Sequence, residues 1–162
     1  MTVAIDQIKS LREKTGAGVM ECRSVIEQAM ELQKSQKVTD EVVKCALEML
    51  KQKGLEVAVK KQDRDTRQGI IETYSHCGGK VVAVVELLCE TDFVARNEEF
   101  KNMAHELAMQ VAAMDPKSAN ELLEQEYIRD ATKKVSDLLN EVIGKIRENI
   151  KVGRIARFEL GE

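Results

Sequence analysis

The chain has 162 residues, 43% of them hydrophobic and 33% charged, with a single proline. That is enough apolar material for one ordinary domain with room for a small appendage, and it excludes a disordered chain. A formal net charge of −3 and a pI near 5.6 argue against a general nucleic-acid binder, whose phosphate contacts are made by lysine and arginine.

No apolar run approaches the roughly 20 residues that span a bilayer. The start MTVAIDQIKS lacks the charged-then-apolar pattern of a leader, and Asp6 argues against a transit peptide. Cys22, Cys45, Cys77 and Cys89 form no C-x-x-C pair, so neither a zinc knuckle nor a redox motif is indicated. Cys22, Cys45 and Cys89 sit among apolar residues and read as small buried thiols, which places the chain in a reducing compartment, the cytoplasm.

The first fifty-odd residues predict three helices. Ile5, Ile8 and Leu11 follow helical spacing, and the stretch from Thr15 to Gly18 is a turn, with Gly16 where a helix should stop. A second helix carries Cys22, Val25, Ile26, Ala29 and Met30 on one face. Thr39 is an N-cap for a third, with Val42, Val43, Ala46, Leu47 and Leu50 inward and Gly54 as its end. A bundle this small is marginal alone. The mixed-charge run KKQDRDTR, Lys60 to Arg67, reads as a solvated linker or helix end and marks a boundary: residues 1–55, a linker over 56–68, and a second domain over 69–162.

Past that boundary the period changes. Ile70, Ile71, Thr73 and Tyr74 are β-formers, Gly78 and Gly79 signal a hairpin, and Val81 to Leu88 is apolar at nearly every position, as a central covered strand would be. Asn97 is an N-cap with Glu98 and Glu99 in the first turn, and Phe100, Met103, Ala104, Leu107, Ala108 and Val111 form one stripe that Asp115-Pro116 breaks. Ile128, Ala131, Val135, Leu138, Leu139, Val142 and Ile146 predict one long helix, and Ala156, Phe158 and Leu160 alternate in a last strand beside the hairpin. The fold class is therefore α+β: a helical unit, then a small three-stranded antiparallel sheet with helices packed on one face.

Chemistry is sparse. His76 and Cys77 are neighbours in the hairpin and should point to opposite faces, which weighs against a nucleophile–base pair. His105 lies on the polar side of its helix, and no cluster of metal ligands is visible. Gly78-Gly79-Lys80 lacks the rest of a phosphate loop and leads into a strand, so no nucleotide site of the chain's own is expected. No cofactor and no metal are expected, and a binding protein is a better reading than an enzyme.

One stretch stands out. In LLCETDFVAR, Leu87 to Arg96, one of only three phenylalanines follows the end of an apolar strand. Either Phe93 folds back over the core while Thr91 or Asp92 caps a helical turn, or Phe93 projects as an aromatic anchor for a partner.

Two longer motifs bear on that choice. Leu11 to Cys22, LREKTGAGVMEC, resembles the N-terminal signature of the elongation factor Ts family, and CETDFVARNEEF, Cys89 to Phe100, resembles its second signature. KIRENI, Lys145 to Ile150, and RFELGE, Arg157 to Glu162, are similar to that family's C-terminal part, in the same order. The resemblance implies a guanine-nucleotide exchange factor for elongation factor Tu, with a ubiquitin-associated-like N-terminal unit that contacts the partner's G domain through Arg12, Val19 and Met20. It implies that the motif Thr91, Asp92, Phe93 and Val94 inserts its ring between two helices of that domain, disturbs the Mg2+ site and phosphate-binding loop, and lets GDP leave.

The chain departs from the family in three places. The connection from Glu31 to Thr39 is longer than usual, Arg147 stands where the family has glycine, and the segment from Met114 to Leu138 is too short for the coiled-coil insertion of longer members. Short forms pair two chains, which implies a homodimer and a two-plus-two complex; from the residues themselves no direct contact with nucleotide, nucleic acid or membrane is expected. Two other classes follow from the residues alone: a nucleic-acid or ribosome-binding module using Lys60, Lys61, Arg64 and Arg67, and a cysteine-dependent enzyme using Cys77.

Overall fold

The computed structural model describes residues 5–35 and 37–162, apart from the side chains of residues 57 and 58. The reading of the first ten residues as free of a leader rests partly on residues 1–4, which lie outside the described residues. Three helices open the chain, α1 (Ile5–Thr15), α2 (Val19–Leu32) and α3 (Asp40–Lys61). The strands β1 (Gln68–His76) and β2 (Val81–Cys89) form the hairpin, and α4 (Asp92–Ala95) and α5 (Glu98–Met114) follow. Then come α6 (Ala119–Glu124), β3 (Glu126–Tyr127), β4 (Asp130–Lys134), α7 (Val135–Ile146) and β5 (Ile150–Glu159).

Local chemistry sets most of these boundaries. The Gly16 N–H donates to the Arg12 carbonyl at 2.7 Å, with Gly16 at φ 69°, a left-handed value that closes a helix easily only with glycine. Thr39 caps α3 by accepting from the Val42 N–H at 3.4 Å, and Asn97 caps α5 by accepting from Glu99 N–H at 2.8 Å. The first three helices enclose Leu11, Cys22, Val25, Ile26, Ala29, Met30, Val42 and Ala46, all essentially dry.

Gly54 does not end its helix. α3 runs on to Lys61, through part of the stretch read as linker, and packs against α7. The two helices cross at Gly54 and Gly144: a Cβ on Gly144 would lie 3.2 Å from the Gly54 Cα. The glycine is there for close approach of two backbones, not for a stop.

The sheet is antiparallel, in the order β1-β2-β5, so the apolar strand is central as expected. Ala83, Val85, Leu87 and Cys89 face the stripe on α5 formed by Phe100, Met103, Ala104, Leu107, Ala108 and Val111. Among the described residues no helix packs on the opposite face. It carries Ile71, Val82, Val84, Leu88, Ala156 and Phe158, with Phe158 67% exposed and Ile71 63%. Ala156 and Phe158 alternate on this open face, whereas Leu160, expected in the same strand, lies just past its end in a turn. Between Val85 and Leu87 the register of β5 slips by one residue, a bulge that sets Gly153 and Arg154 opposite Glu86. Arg154 grips the Glu86 carboxylate with Nε at 3.1 Å, Nη2 at 3.2 Å and its own N–H at 3.0 Å. A Cβ on Gly153 would lie 2.5 Å from that carboxylate, so the glycine makes the room.

The long helix expected from Ile128 to Ile146 is broken: α6 and β3 precede Ile128, a tight turn and β4 follow, and only the stretch from Val135 is helical, as α7. A buried glutamine on α5 explains the difference. Gln110 donates to the Glu126 carbonyl at 3.0 Å and accepts from the Ile128 N–H at 3.0 Å, giving the hairpin backbone the partners a helix would have supplied. α7 begins only at Val135, where the Lys134 N–H donates to Asp137 Oδ2 at 3.0 Å.

Candidate functional site

Where β2 stops, Thr91 takes an extended backbone (φ −125°, ψ 156°) and caps the single turn α4, its Oγ1 accepting from the Val94 N–H at 3.4 Å. Successive helical residues are about 100° apart around the axis. Ala95 is buried and Val94 packs against the core, so Phe93 is turned outward, 82% exposed. Seven positions on, Phe100 is fully buried. The two readings of the motif are thus combined: Thr91 caps a turn, and the ring of Phe93 projects from it rather than folding over the core. Asp92 pairs with Arg96 at 3.0 Å on the same turn.

A second exposed apolar group lies at the start of α2. Its N-cap is Gly18, and in its first turn Met20 is 73% exposed and Val19 49%. Arg12 is exposed in the last turn of α1, on the other side of the Gly16 turn.

The end of α7 touches both groups. Arg147, left-handed at φ 62°, closes the helix, forms an ion pair with Glu21, the neighbour of Met20, and accepts at its carbonyl from Lys61. The Lys145 stem packs on Gly16. Glu148 holds Thr91 with two hydrogen bonds, accepting from its N–H at 3.1 Å and from its Oγ1–H at 2.7 Å. Asn149, buried, donates from Nδ2 to the carbonyls of Gln62 at 3.2 Å and Arg64 at 2.8 Å, and its N–H donates to Glu90 at 2.7 Å. Burial raises the pKa of Glu90, but the Asn149 N–H and the Arg64 guanidinium outweigh it and hold the carboxyl below its ordinary value. Burial, with the nearby Glu148 carboxylate, pushes the Cys89 thiol up to about 11.

The remaining candidates do not assemble. His76 stacks on Tyr74, ring centroids 6.0 Å apart, while Cys77 is exposed in the turn at φ 51°. His105 is exposed, as expected, and meets Glu72 at 3.3 Å and the edge of Tyr74. Lys61 donates within the chain, Arg64 pairs with Glu90 at 3.3 Å and Arg67 with Asp65 at 2.8 Å, which weighs against a stripe reserved for phosphates. The residues that sequence reasoning missed as a group are Glu21, Glu90, Glu148 and Asn149, whose contacts span 57 positions or more for Thr91–Glu148 and Glu90–Asn149. Spacing carries no sign of such pairs. Among the described residues no helix is long and apolar enough to cross a membrane.

Known proteins align with this chain along nearly its whole length. Elongation factor Ts of Thermotoga maritima is 38% identical over 206 aligned positions that take in 100% of this chain and 98% of its own. That of Herpetosiphon aurantiacus is 36% identical, with 99% of each chain covered. The chain belongs to the elongation factor Ts family. The elongation factor Ts of Caldanaerobacter subterraneus is 37% identical over 99% of this chain. A family profile described as "Elongation factor TS" matches residues 90–162, from the residue before the capped turn to the last strand and beyond. Since the alignments run to 206 positions against 162 residues, these elongation factor Ts relatives carry segments that have no counterpart here.

Proposed function

We propose that the chain binds elongation factor Tu in its GDP-bound form and speeds GDP release so that GTP can load. Phe93 is the wedge. It enters between two helices of the partner's G domain and disturbs the Mg2+ site and the phosphate-binding loop. Metal and loop together hold the phosphates, so loosening their geometry weakens the whole set at once. By linkage, the factor loses as much affinity for the GDP-bound partner as GDP loses for the factor-bound one, typically about 1–3 kcal/mol. Arg12, Val19 and Met20 hold the same G domain from the N-terminal, ubiquitin-associated-like unit. The chain supplies no catalytic residue and works in the cytoplasm; its N-terminal unit runs to the end of α3 at Lys61, past the expected boundary at 55, and after a short linker the second unit begins at β1.

The observation that carries this is the exposure of Phe93 on a braced turn. Leaving a phenylalanine in water forgoes about 1.5–3 kcal/mol of burial that a partner's pocket would recover. The test is release of labelled GDP from elongation factor Tu. The wild-type chain should accelerate it; Phe93→Ala should melt at nearly the wild-type temperature yet stimulate weakly. Equal stimulation by the variant would overturn the wedge.

The reading includes a homodimer and a two-plus-two complex. The open face of the sheet, with Ile71, Val82, Val84, Leu88 and Phe158, is the surface that supports it. Light scattering should give a dimer mass for the wild type and a monomer mass for Phe158→Glu; an unchanged dimer would assign pairing to another surface.

A further inference from the structure

The Arg147–Asn149 turn sits between the two groups of exposed side chains, and each of its residues bonds in a different direction: Arg147 to Glu21 beside Met20, Glu148 to Thr91 beneath Phe93, and Asn149 to the backbone that leaves α3. All three follow directly on the end of α7, a rigid helix. We propose that this turn is a positioning device that fixes the wedge relative to the N-terminal contact surface, with Glu148 as the positioning residue for Phe93. This deepens the exchange-factor reading and rests on it.

The physical argument begins with the size of α4. A helix of four residues has no stability of its own. What orients it is its cap, and the cap residue is held by Glu148. One carboxylate occupies both the N–H and the Oγ1–H of Thr91, which fixes the residue's backbone as well as its χ1. Thr91 Oγ1, so held, keeps its lone pair aimed at the Val94 N–H. Glu90, just before the turn, is tied to Asn149 by a backbone donor. The root of the wedge is therefore bound on consecutive residues by consecutive residues, Glu90 by Asn149 and Thr91 by Glu148, in antiparallel order. Arg147 extends the same short segment to α2, so motion of the N-terminal helices and of the wedge is transmitted through three residues. The left-handed backbone of Arg147 supports a placed side chain rather than a simple stop, since glycine would close the helix with less strain and could not reach Glu21.

The test uses the full chain with 4-fluorophenylalanine at its three phenylalanine positions. Phe93 reports the wedge, Phe100 the core, and Phe158 the distant open face of the sheet. Glu148→Ala should shift and narrow the fluorine resonance of Phe93 and leave those of Phe100 and Phe158 in place. In the GDP-release titration the same variant should lower the maximal rate by about tenfold, the scale of losing charge-assisted hydrogen bonds, with a smaller change in the half-saturating concentration. Glu148→Gln, which keeps an acceptor for Thr91, should recover part of the loss. In a Phe93→Ala background Glu148→Ala should cost almost nothing more, because a positioner has nothing left to position.

An unmoved Phe93 resonance, movement of all three resonances, or equal losses in both backgrounds would each overturn the assignment. A wild-type chain that leaves GDP release unchanged would instead overturn the exchange reading, and the fluorine spectra would still decide whether Glu148 orients the ring.

Discussion

The N-terminal helices and the sheet with its helices bury their cores differently. Among the described residues the first closes on eight buried apolar side chains, small ones included, and the second on seventeen around a central strand. The first presents Met20 and Val19 at a helix start; the second presents Phe93 on a turn braced from α7. A small core yields little net stability once chain entropy is counted. The helical unit therefore leans on its dock against α7, through the Gly54–Gly144 crossing and the Arg147–Glu21 pair, whereas the sheet unit closes on itself.

The deepest cuts should separate the two regions most clearly. Phe100→Ala empties the centre of the larger core and should cost about 3–5 kcal/mol, lowering amide protection throughout β1, β2, β5 and α5. Ile26→Ala should cost about 2–5 kcal/mol locally, yet its loss of amide protection should be confined to α1, α2 and α3. Hydrogen exchange read residue by residue checks both; loss of β2 protection in Ile26→Ala would show that the regions unfold as one.

Next in size is the dock. Gly144→Val pushes α3 and α7 apart where their backbones nearly touch, and should destabilise by about 1–3 kcal/mol in urea unfolding, with the N-terminal helices exchanging faster than the sheet.

How much of this was legible depends on how far apart the deciding residues stand. Caps and stops were readable because they are local: Gly16, Thr39 and Asn97 do what their neighbours in sequence require. Gly54 reads as a stop because a glycine placed for close approach looks in sequence like one placed to end a helix, and its reason, Gly144, lies on α7. The stretch from Ile128 to Lys134 reads as helix because its apolar residues fall at helical spacing, while Gln110 on α5 dictates a hairpin. At the site, the motif and its phenylalanine were visible, but the exposure of the ring follows from Val94 and Ala95 turning inward, and the brace from Glu148 is visible only in three dimensions.

Acid should weaken the joint between the regions before either core. Glu90 has its carboxyl held below the ordinary 4.5, so the stability it contributes is complete above that pH and is lost as pH falls through the lowered value. Glu90→Gln should therefore be less stable than the wild type at neutral pH, with the gap between their unfolding midpoints closing as pH falls below the ordinary 4.5 and through the lowered value.

The smallest effect is expected at Arg147→Gly. Relief of a left-handed side chain favours the glycine by about 1 kcal/mol, and loss of a partly exposed ion pair opposes it by about 0–1 kcal/mol. Thermal midpoints should barely differ, while exchange in the first turn of α2 quickens; a large drop in midpoint would mean that the pair with Glu21 is worth far more than an exposed one.

The bulge in β5 has a consequence for whatever covers the sheet's open side. It places a doubly bonded carboxylate and guanidinium, Glu86 and Arg154, in the midst of aliphatic and aromatic neighbours. Greasy patches slide against one another with little preference, but a charge pair shut away from water must still find donors and acceptors, and a misaligned cover would leave them unmet. The pair therefore acts as an index mark: it does little to make the surface sticky and much to decide the angle at which something can lie flat upon it.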